Sequence, residues 1–372
     1  MRGLTETMWD PILQSLLMAL GLLYRALWPI LLGVFLTALI ETLVDQDWMA
    51  AQLGGRGLRS VGKASVAGAV SSACTYGALS ITQTLFKKGA SAEASFAFAF
   101  ASTNLVFELG ILIYVLLGWQ FLLAELLGGF VLIVFMYVLV TFTLPRRLFE
   151  ESRQRLRDSH PDDPGPVTFT RTVSSHGNWR EQLGTRKGWG RIARNYFHTL
   201  GVIYKSVLIG FLLAGFIVEM VLVTVWRALF VPAQGLAGIA ENAAVGVMAG
   251  VLSFIGSIGN VPFAAALWVS GVSFGGVIAC IYADLITLPV MALWRRFFGW
   301  RGAIYIFAIF YATMFLSAVL MEYVFNAIHW VPARLTEGNF DSFVQVRLDA
   351  TLIVTLMAIC GTLLLSRLKT SA

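Results

Sequence analysis

The sequence predicts an all-α polytopic membrane protein: an inverted repeat of two halves, with about seven to eight transmembrane helices and two re-entrant or broken helical hairpins. Three observations predict it. Of 372 residues, 58% are hydrophobic and 13% are charged, against roughly 45–50% and 25% in soluble domains, and the mean hydropathy is +0.76. One membrane segment occurs twice. The arginines and lysines, which give a net charge of +6, cluster in particular loops and so report orientation.

In chain order, the apolar stretch at about 11–25 is short and ends at Arg25. It fits either a tilted span or an interfacial helix. Long apolar segments at about 28–44, 91–117, 120–143, 201–226, 272–294, 302–323 and 348–366 read as spans. Trp119, Trp226, Trp294 and Trp300 lie near their ends, where aromatic belts form. The N-terminus lacks a short apolar region followed by a small-residue cleavage site, so no cleaved signal peptide is expected. Residues 145–197 break the pattern, with arginines such as Arg146, Arg147, Arg153, Arg171 and Arg191 and the turn-rich run Asp162-Asp163-Pro164-Gly165-Pro166. They read as a polar, partly disordered linker between a first membrane half, 1–144, and a second, 198–372. Its charge suits the cytoplasm and lipid headgroups rather than a nucleic acid.

Displaced by 182 positions, Gly68, Ser71, Gly77, Leu85, Gly89, Ser91, Ala97 and Ala101 fall on Gly250, Ser253, Gly259, Leu267, Gly271, Ser273, Ala279 and Ala283. After a one-residue slip, Leu117-Gly118-Trp119 falls on Phe298-Gly299-Trp300. In each copy a Gly/Ser-rich apolar stretch runs into a Gly-x-Ser turn and then a long apolar helix. Such interrupted, repeated segments point to a transporter binding site.

Charge then sets how the two Gly/Ser-rich stretches sit. With residue 145 inside, helix 91–117 starts inside, beside Lys87 and Lys88, while Arg56, Arg59 and Lys63 hold the other end of 64–87 inside as well. Segment 64–87 therefore enters the membrane and returns. In the second half, a re-entrant 243–270 keeps Arg295, Arg296, Arg301, Arg367 and Lys369 inside. The expected hairpin tips are residues 73–77 and 256–262. Irregular backbone at membrane depth must be buried in protein or line a cavity. Glycine permits tight turns there, and Pro262 disfavours helix at Val261.

Asp284 is the sharpest candidate for chemistry, since ionisable groups within lipid are costly and functional by default. It lies mid-helix, with Ser102 as its counterpart in the first copy. Asn104 and Glu108 share a helix face at i, i+4. These four residues are expected to converge between the halves. Desolvation favours a neutral carboxyl, which makes Asp284 and Glu108 candidates for proton coupling. The alternative is that these polar groups only hold helices together. Candidate solute-binding residues are Cys74, Thr75, Tyr76, Gly77, Ser102, Asn104, Gly259, Asn260 and Pro262. Cys74 is either a soft-metal ligand or a small buried hydrophobe. Glu93 reads as a first-turn acid. The four histidines form no ligand pair, the cysteines no disulfide framework, and no phosphate-binding loop or zinc-protease motif occurs. No cofactor is expected.

Ser71-Ser72-Ala73-Cys74-Thr75-Tyr76-Gly77-Ala78, Lys88-Gly89-Ala90-Ser91, Ala101-Ser102-Thr103-Asn104-Leu105-Val106-Phe107-Glu108-Leu109-Gly110, Gly259-Asn260-Val261-Pro262 and Ala283-Asp284-Leu285-Ile286 together resemble the bacterial predicted permease family, which includes the organoarsenical efflux permeases. The resemblance covers nearly everything outside 145–197. It implies a secondary transporter in the bacterial cytoplasmic (inner) membrane, with export of metalloid or metal-related solutes in the characterised branch. Many relatives carry Cys-x-Cys-Gly at the first tip, where this chain has Cys74-Thr75-Tyr76-Gly77, so the second thiol for chelating trivalent arsenic is missing. The expected function is a proton-coupled permease for a small solute, in contact with lipid, with linker and C-terminus cytoplasmic and with room for a homo-oligomer. The alternative is a non-transporting membrane subunit that docks a partner through its linker. A membrane enzyme would need a nucleophile with a base, or a metal cluster, and the sequence offers neither.

Overall fold

The computed structural model describes residues 2–43, 57–71, 75–87, 89–158, 183–220, 230, 235–253, 256–333 and 350–369. Among them the ordered elements are helical. Six helices are long and apolar enough to cross a membrane, or seven if one bent pair counts as a span. The chain is a multi-pass membrane protein.

Helix α1 (Arg2–Leu43) takes in the 11–25 stretch and the 28–44 stretch as far as residue 43, running through Pro11 and Pro29 without a stop. The first copy of the repeat follows as α2 (Leu58–Ser71), α3 (Thr75–Lys87), α4 (Ala92–Asn104), α5 (Phe107–Leu117) and α6 (Trp119–Thr143). Helix α7 (Arg146–Asp158) and the start of α8 (Arg186–Met220) show that the polar stretch is helical at both ends. Residues 159–182 lie outside the described ones. The second copy is α9 (Gly235–Leu252), α10 (Ser257–Val269), α11 (Phe274–Tyr282), a 3-10 turn (Ala283–Ile286) and α12 (Leu288–Ala327). Helix α13 (Ala350–Lys369) ends the described chain.

The copies repeat each other in their caps, turns and close helix contacts. Ser91 and Ser273 cap α4 and α11 by accepting from Ala94 N and Gly276 N. Gly89 and Gly271 turn at φ 108° and 106°, and Gly118 and Gly299 at 97° and 73°. Ser71 and Ser253 donate to Gly68 O and Gly250 O. A Cβ at Gly68 would strike Ala101 and the Phe98 carbonyl; at Gly250 it would strike Ala283 and the Cys280 carbonyl.

Helix α6 shows that the copies are inverted. Twenty-five residues rise about 37 Å, a full crossing. At its C-terminal end, Arg153 of α7 donates to Phe86 O (3.2 Å) and Ala90 O (2.8 Å), beside the first Gly-x-Ser turn. Thr143 pairs with Tyr305 at 3.0 Å, and Phe86 meets Phe298 at 5.0 Å. At its N-terminal end Phe121 packs on Trp268 (5.1 Å) and Phe274 (4.5 Å), beside the second Gly-x-Ser turn. The two turns thus lie on opposite faces of the bundle.

Each hairpin returns to its own face. Gly246 packs on the Gly276 backbone and Gly250 on Cys280, so α9 runs parallel to α11, inward from the face that holds the α10–α11 turn. Gly68 on Phe98 and Ala101 places the end of α2 deep along α4 in the same sense. Asn195 donates to Thr42 at 3.0 Å, and Tyr196 meets Thr362 at 2.7 Å, which brings the end of α1 and the later turns of α13 to the linker face.

Three expectations change. Segments 91–117 and 272–294 are not single continuous helices. The first breaks at Leu105–Val106 with a 43° bend, and the second breaks at the 3-10 turn and the extended Thr287. The physical cause in α4 is Ser102, Thr103 and Asn104, whose side chains bond back to Ala99 O and Phe100 O and compete with the helical ladder. Pro262 does not end a helix, because α10 continues through it. Burial of Gly259 through Trp268 outweighs one lost backbone bond. Trp294 is not a belt residue. It is fully buried among Phe96, Phe298 and Phe310, donating to Leu285 O at 3.0 Å.

Candidate functional site

The hairpin tips meet. Thr75, the first residue of α3, and Ser257, the first of α10, are repeat equivalents, and their hydroxyls lie 2.7 Å apart. Each helix then runs about 20 Å to an opposite face, so the contact lies near half depth. Both hydroxyls donate to Asp284 Oδ2, Ser257 at 2.6 Å and Thr75 at 3.2 Å. Asp284 is 1% exposed, and its Oδ1 has no hydrogen-bond partner. The carboxylate faces two helix N-termini, each carrying about half a positive charge.

The other candidates do not all join this cluster. Ser102 is fully buried but donates within its own helix to Ala99 O at 3.0 Å. Asn104 donates to Phe100 O and Thr103 Oγ1, leaving its Oδ1 buried without a partner. Glu108 lies in the first turn of α5 and accepts from Thr37 of α1 at 2.8 Å, its side chain against Gly33. Asn260 staples the second tip, accepting from Ser253 at 3.0 Å and donating to Cys280 O at 3.5 Å. Gly210 of α8 lets the α10 backbone at Gly259 approach closely. Gly77 is half-buried in α3, Tyr76 lies on the same helix, and Pro262 is buried in α10. Cys74 lies outside the described residues. Glu93 sits in the first turn of α4. Among the described residues no three His, Cys, Asp or Glu side chains form a metal-holding group.

Two buried acids carry no sequence motif. Glu125 of α6 is 1% exposed with both carboxylate oxygens unpartnered. Glu322 of α12 caps α11 by accepting from the Gly275 amide. A lone acid within an apolar stretch is the one signal that would have flagged either.

Residues 12–323 match the predicted permease family. The chain belongs to that family. It is also 33% identical over 292 residues to the "Putative permease Rv2963" of Mycobacterium tuberculosis (strain ATCC 25618 / H37Rv), covering 78% of this chain and 72% of that protein. No solved structure matches. Family membership makes this a membrane permease, embedded in lipid and acting on a small molecule.

Proposed function

We propose that this permease is a secondary transporter, not an enzyme, that moves a small solute across the bacterial cytoplasmic membrane by proton-coupled alternating access. The observation that carries this reading is the Thr75–Ser257–Asp284 cluster, formed where two oppositely inserted hairpins touch. Each hairpin closes only half of the bilayer. Rocking one half against the other therefore opens the contact to one side at a time. The two hydroxyls are rotors that bond either to each other or to the carboxylate, so the cluster can exchange partners without moving backbone. Asp284 carries the proton, with Glu108 as a further coupling acid where α5 meets α1. The N-termini of α3 and α10 favour an anionic or oxygen-rich solute, whether metalloid, metal-related or a small anion. Thr75, Gly77 and Asn260 at the tips, with Ser102, Asn104, Gly259 and Pro262 behind them, shape the passage, and Cys74 and Tyr76 are assigned to it from the sequence alone.

The linker face is cytoplasmic in this reading. It carries Arg146, Arg147 and Arg153 of α7 together with Arg295, Arg296 and Arg301 around the Gly299 turn, as the positive-inside rule requires. The C-terminus lies on the same side. Lipid and solute are the partners, nucleic acid is not, and a homo-oligomer is compatible with the broad apolar exterior.

Purified protein in liposomes tests the function. With a pH gradient imposed and arsenite, zinc and phosphate as probes, wild type should drive gradient-dependent flux of one class. Asp284→Asn should abolish that flux while remaining monodisperse in detergent. Undiminished coupled flux in Asp284→Asn refutes the assignment, and no flux of any probe favours the subunit reading.

A further inference from the structure

We propose that Glu125 is the second acid of the translocation site and, with Asp284, holds a single travelling positive charge, a proton or a sodium ion. This rests on the transport reading of Asp284. Glu125 is as buried as Asp284, and neither of its carboxylate oxygens has a partner. Asp284 lies two residues beyond Tyr282, whose phenol reaches this turn of α6. The titratable group facing Glu125 is that phenol, which donates to the neighbouring Ala124 carbonyl at 3.2 Å.

The surrounding contacts aim Glu125 at the breaks in both halves. One turn along α6, Gly128 packs on Tyr282, which immediately precedes the 3-10 turn bearing Asp284. Gly129 packs on Leu105 and Asn104, the break in α4–α5. Asn104 Oδ1 is a further buried oxygen without a partner. Helix α4 and the 3-10 turn both end here, and helix C-termini carry negative partial charge. The Glu125 side of the site is thus lined by acceptors, while the donors of the two hairpin tips lie on the far side of Asp284. Two nearby carboxylates cannot both be ionised cheaply, and one shared cation satisfies both.

The repeat sharpens the point. The counterpart of Asp284 is Ser102, and that of Glu125, after the one-residue slip, is Ile306, a fully buried apolar residue. At both positions one copy places a buried carboxylate where the other has none.

The test reads ion binding rather than flux, so it is independent of the solute. Saturable sodium-22 binding and pH-difference infrared spectra of the carboxyl band are recorded on full-length wild type, Glu125→Gln, Glu125→Asp and Asp284→Asn, each first shown to be folded by its melting curve. If sodium is the ion, wild type binds it in competition with protons and Glu125→Gln weakens binding at least tenfold. If the proton is the ion, wild type shows a buried protonated carboxyl band that Glu125→Gln removes and Asp284→Asn shifts. Glu125→Asp retains part of either signal. A wild-type signal unchanged in Glu125→Gln, or neither signal in wild type, overturns the proposal. Loss of flux in Asp284→Asn alongside an unchanged ion signal in Glu125→Gln would sink this inference while leaving the transport reading intact.

Discussion

Three glycines test the packing that defines the repeat. Gly62 and Gly68 lie in the same helix, α2, but in opposite surroundings. An added Cβ at Gly62 meets nothing within 4 Å, whereas at Gly68 it falls 2.5 Å from the Phe98 carbonyl and 3.0 Å from Ala101 Cβ. Its repeat partner Gly250 shows the same collision, 2.6 Å from both the Cys280 carbonyl and Ala283 Cβ. Gly62→Ala should therefore stabilise by ~0.5–1 kcal/mol through helix propensity alone. Gly68→Ala gains the same propensity but must part α2 from α4 against a backbone atom that cannot swing away. A 2.5 Å approach to a backbone atom puts the overpacking cost in the upper half of its range, about 2–3 kcal/mol, which leaves a net loss of about 1–2.5 kcal/mol once that propensity is subtracted. Gly250→Ala should match it, and the double variant should lose about the sum, since distant sites add to within ~0.5 kcal/mol. Thermal unfolding in detergent gives the order: Gly62→Ala above wild type, then the two repeat variants together below it. A Gly68→Ala variant as stable as wild type, or a Gly250→Ala variant differing from it in sign, would refute the claim that one helix pair is built twice.

Other expectations follow from single contacts. Gly299→Ala places a side chain at φ 73°, ψ 177°, a region nearly exclusive to glycine, and should cost ~1–3 kcal/mol in the same melt; Gly118→Ala, at φ 97°, should cost a similar amount. Arg153→Ala removes two charge-assisted bonds to backbone carbonyls, an ion pair with Glu150 and a stack on Phe86; amides of residues 146–158 should then exchange with deuterium about tenfold faster or more, as expected for a loss of ~1.5–3 kcal/mol. Tyr282→Phe deletes the bond to Ala124 O and should lower stability by ~0.5–1.5 kcal/mol, measured against wild type by chemical denaturation.

The inverted plan was legible because it is written in small residues and in charge. The Gly-x-Ser turns need positive φ at Gly89 and Gly271 and a hydroxyl cap at Ser91 and Ser273, so both copies had to keep these residues, while Arg59 and Lys63 marked the face where the first hairpin begins. The broken spans were harder to read. Leu105 and Val106 are apolar and carry no glycine or proline. The break there comes from three preceding side chains turning back on their own carbonyls, a signal that resembles ordinary polar decoration. Pro262 misled, since it sits inside a continuous helix, whereas Pro289, within a stretch read as one span, marks a helix start.

The site was legible in part. Asp284 stood out because no basic residue is near it in sequence. Its hydroxyl partners did not, since Thr75 and Ser257 come from opposite halves and only the inversion brings them together. Glu108 was expected beside Asp284, yet it faces Thr37 of α1, because the break after Asn104 re-aims α5. Glu125 reads in sequence as one acid six residues beyond Trp119. Its burial depends on Tyr282 of the second half packing on Gly128, one turn along the same helix.

A disulfide trap gives the most direct check. In a background without native cysteines, Thr75→Cys and Ser257→Cys are combined, membranes are treated with a mild oxidant, and the linked peptides are quantified by mass spectrometry. Hydroxyls 2.7 Å apart predict rapid, near-complete bridging, with neither single variant forming a link. Persistent separation of two thiols that both react with maleimide once the protein is unfolded would mean that the hairpins do not touch.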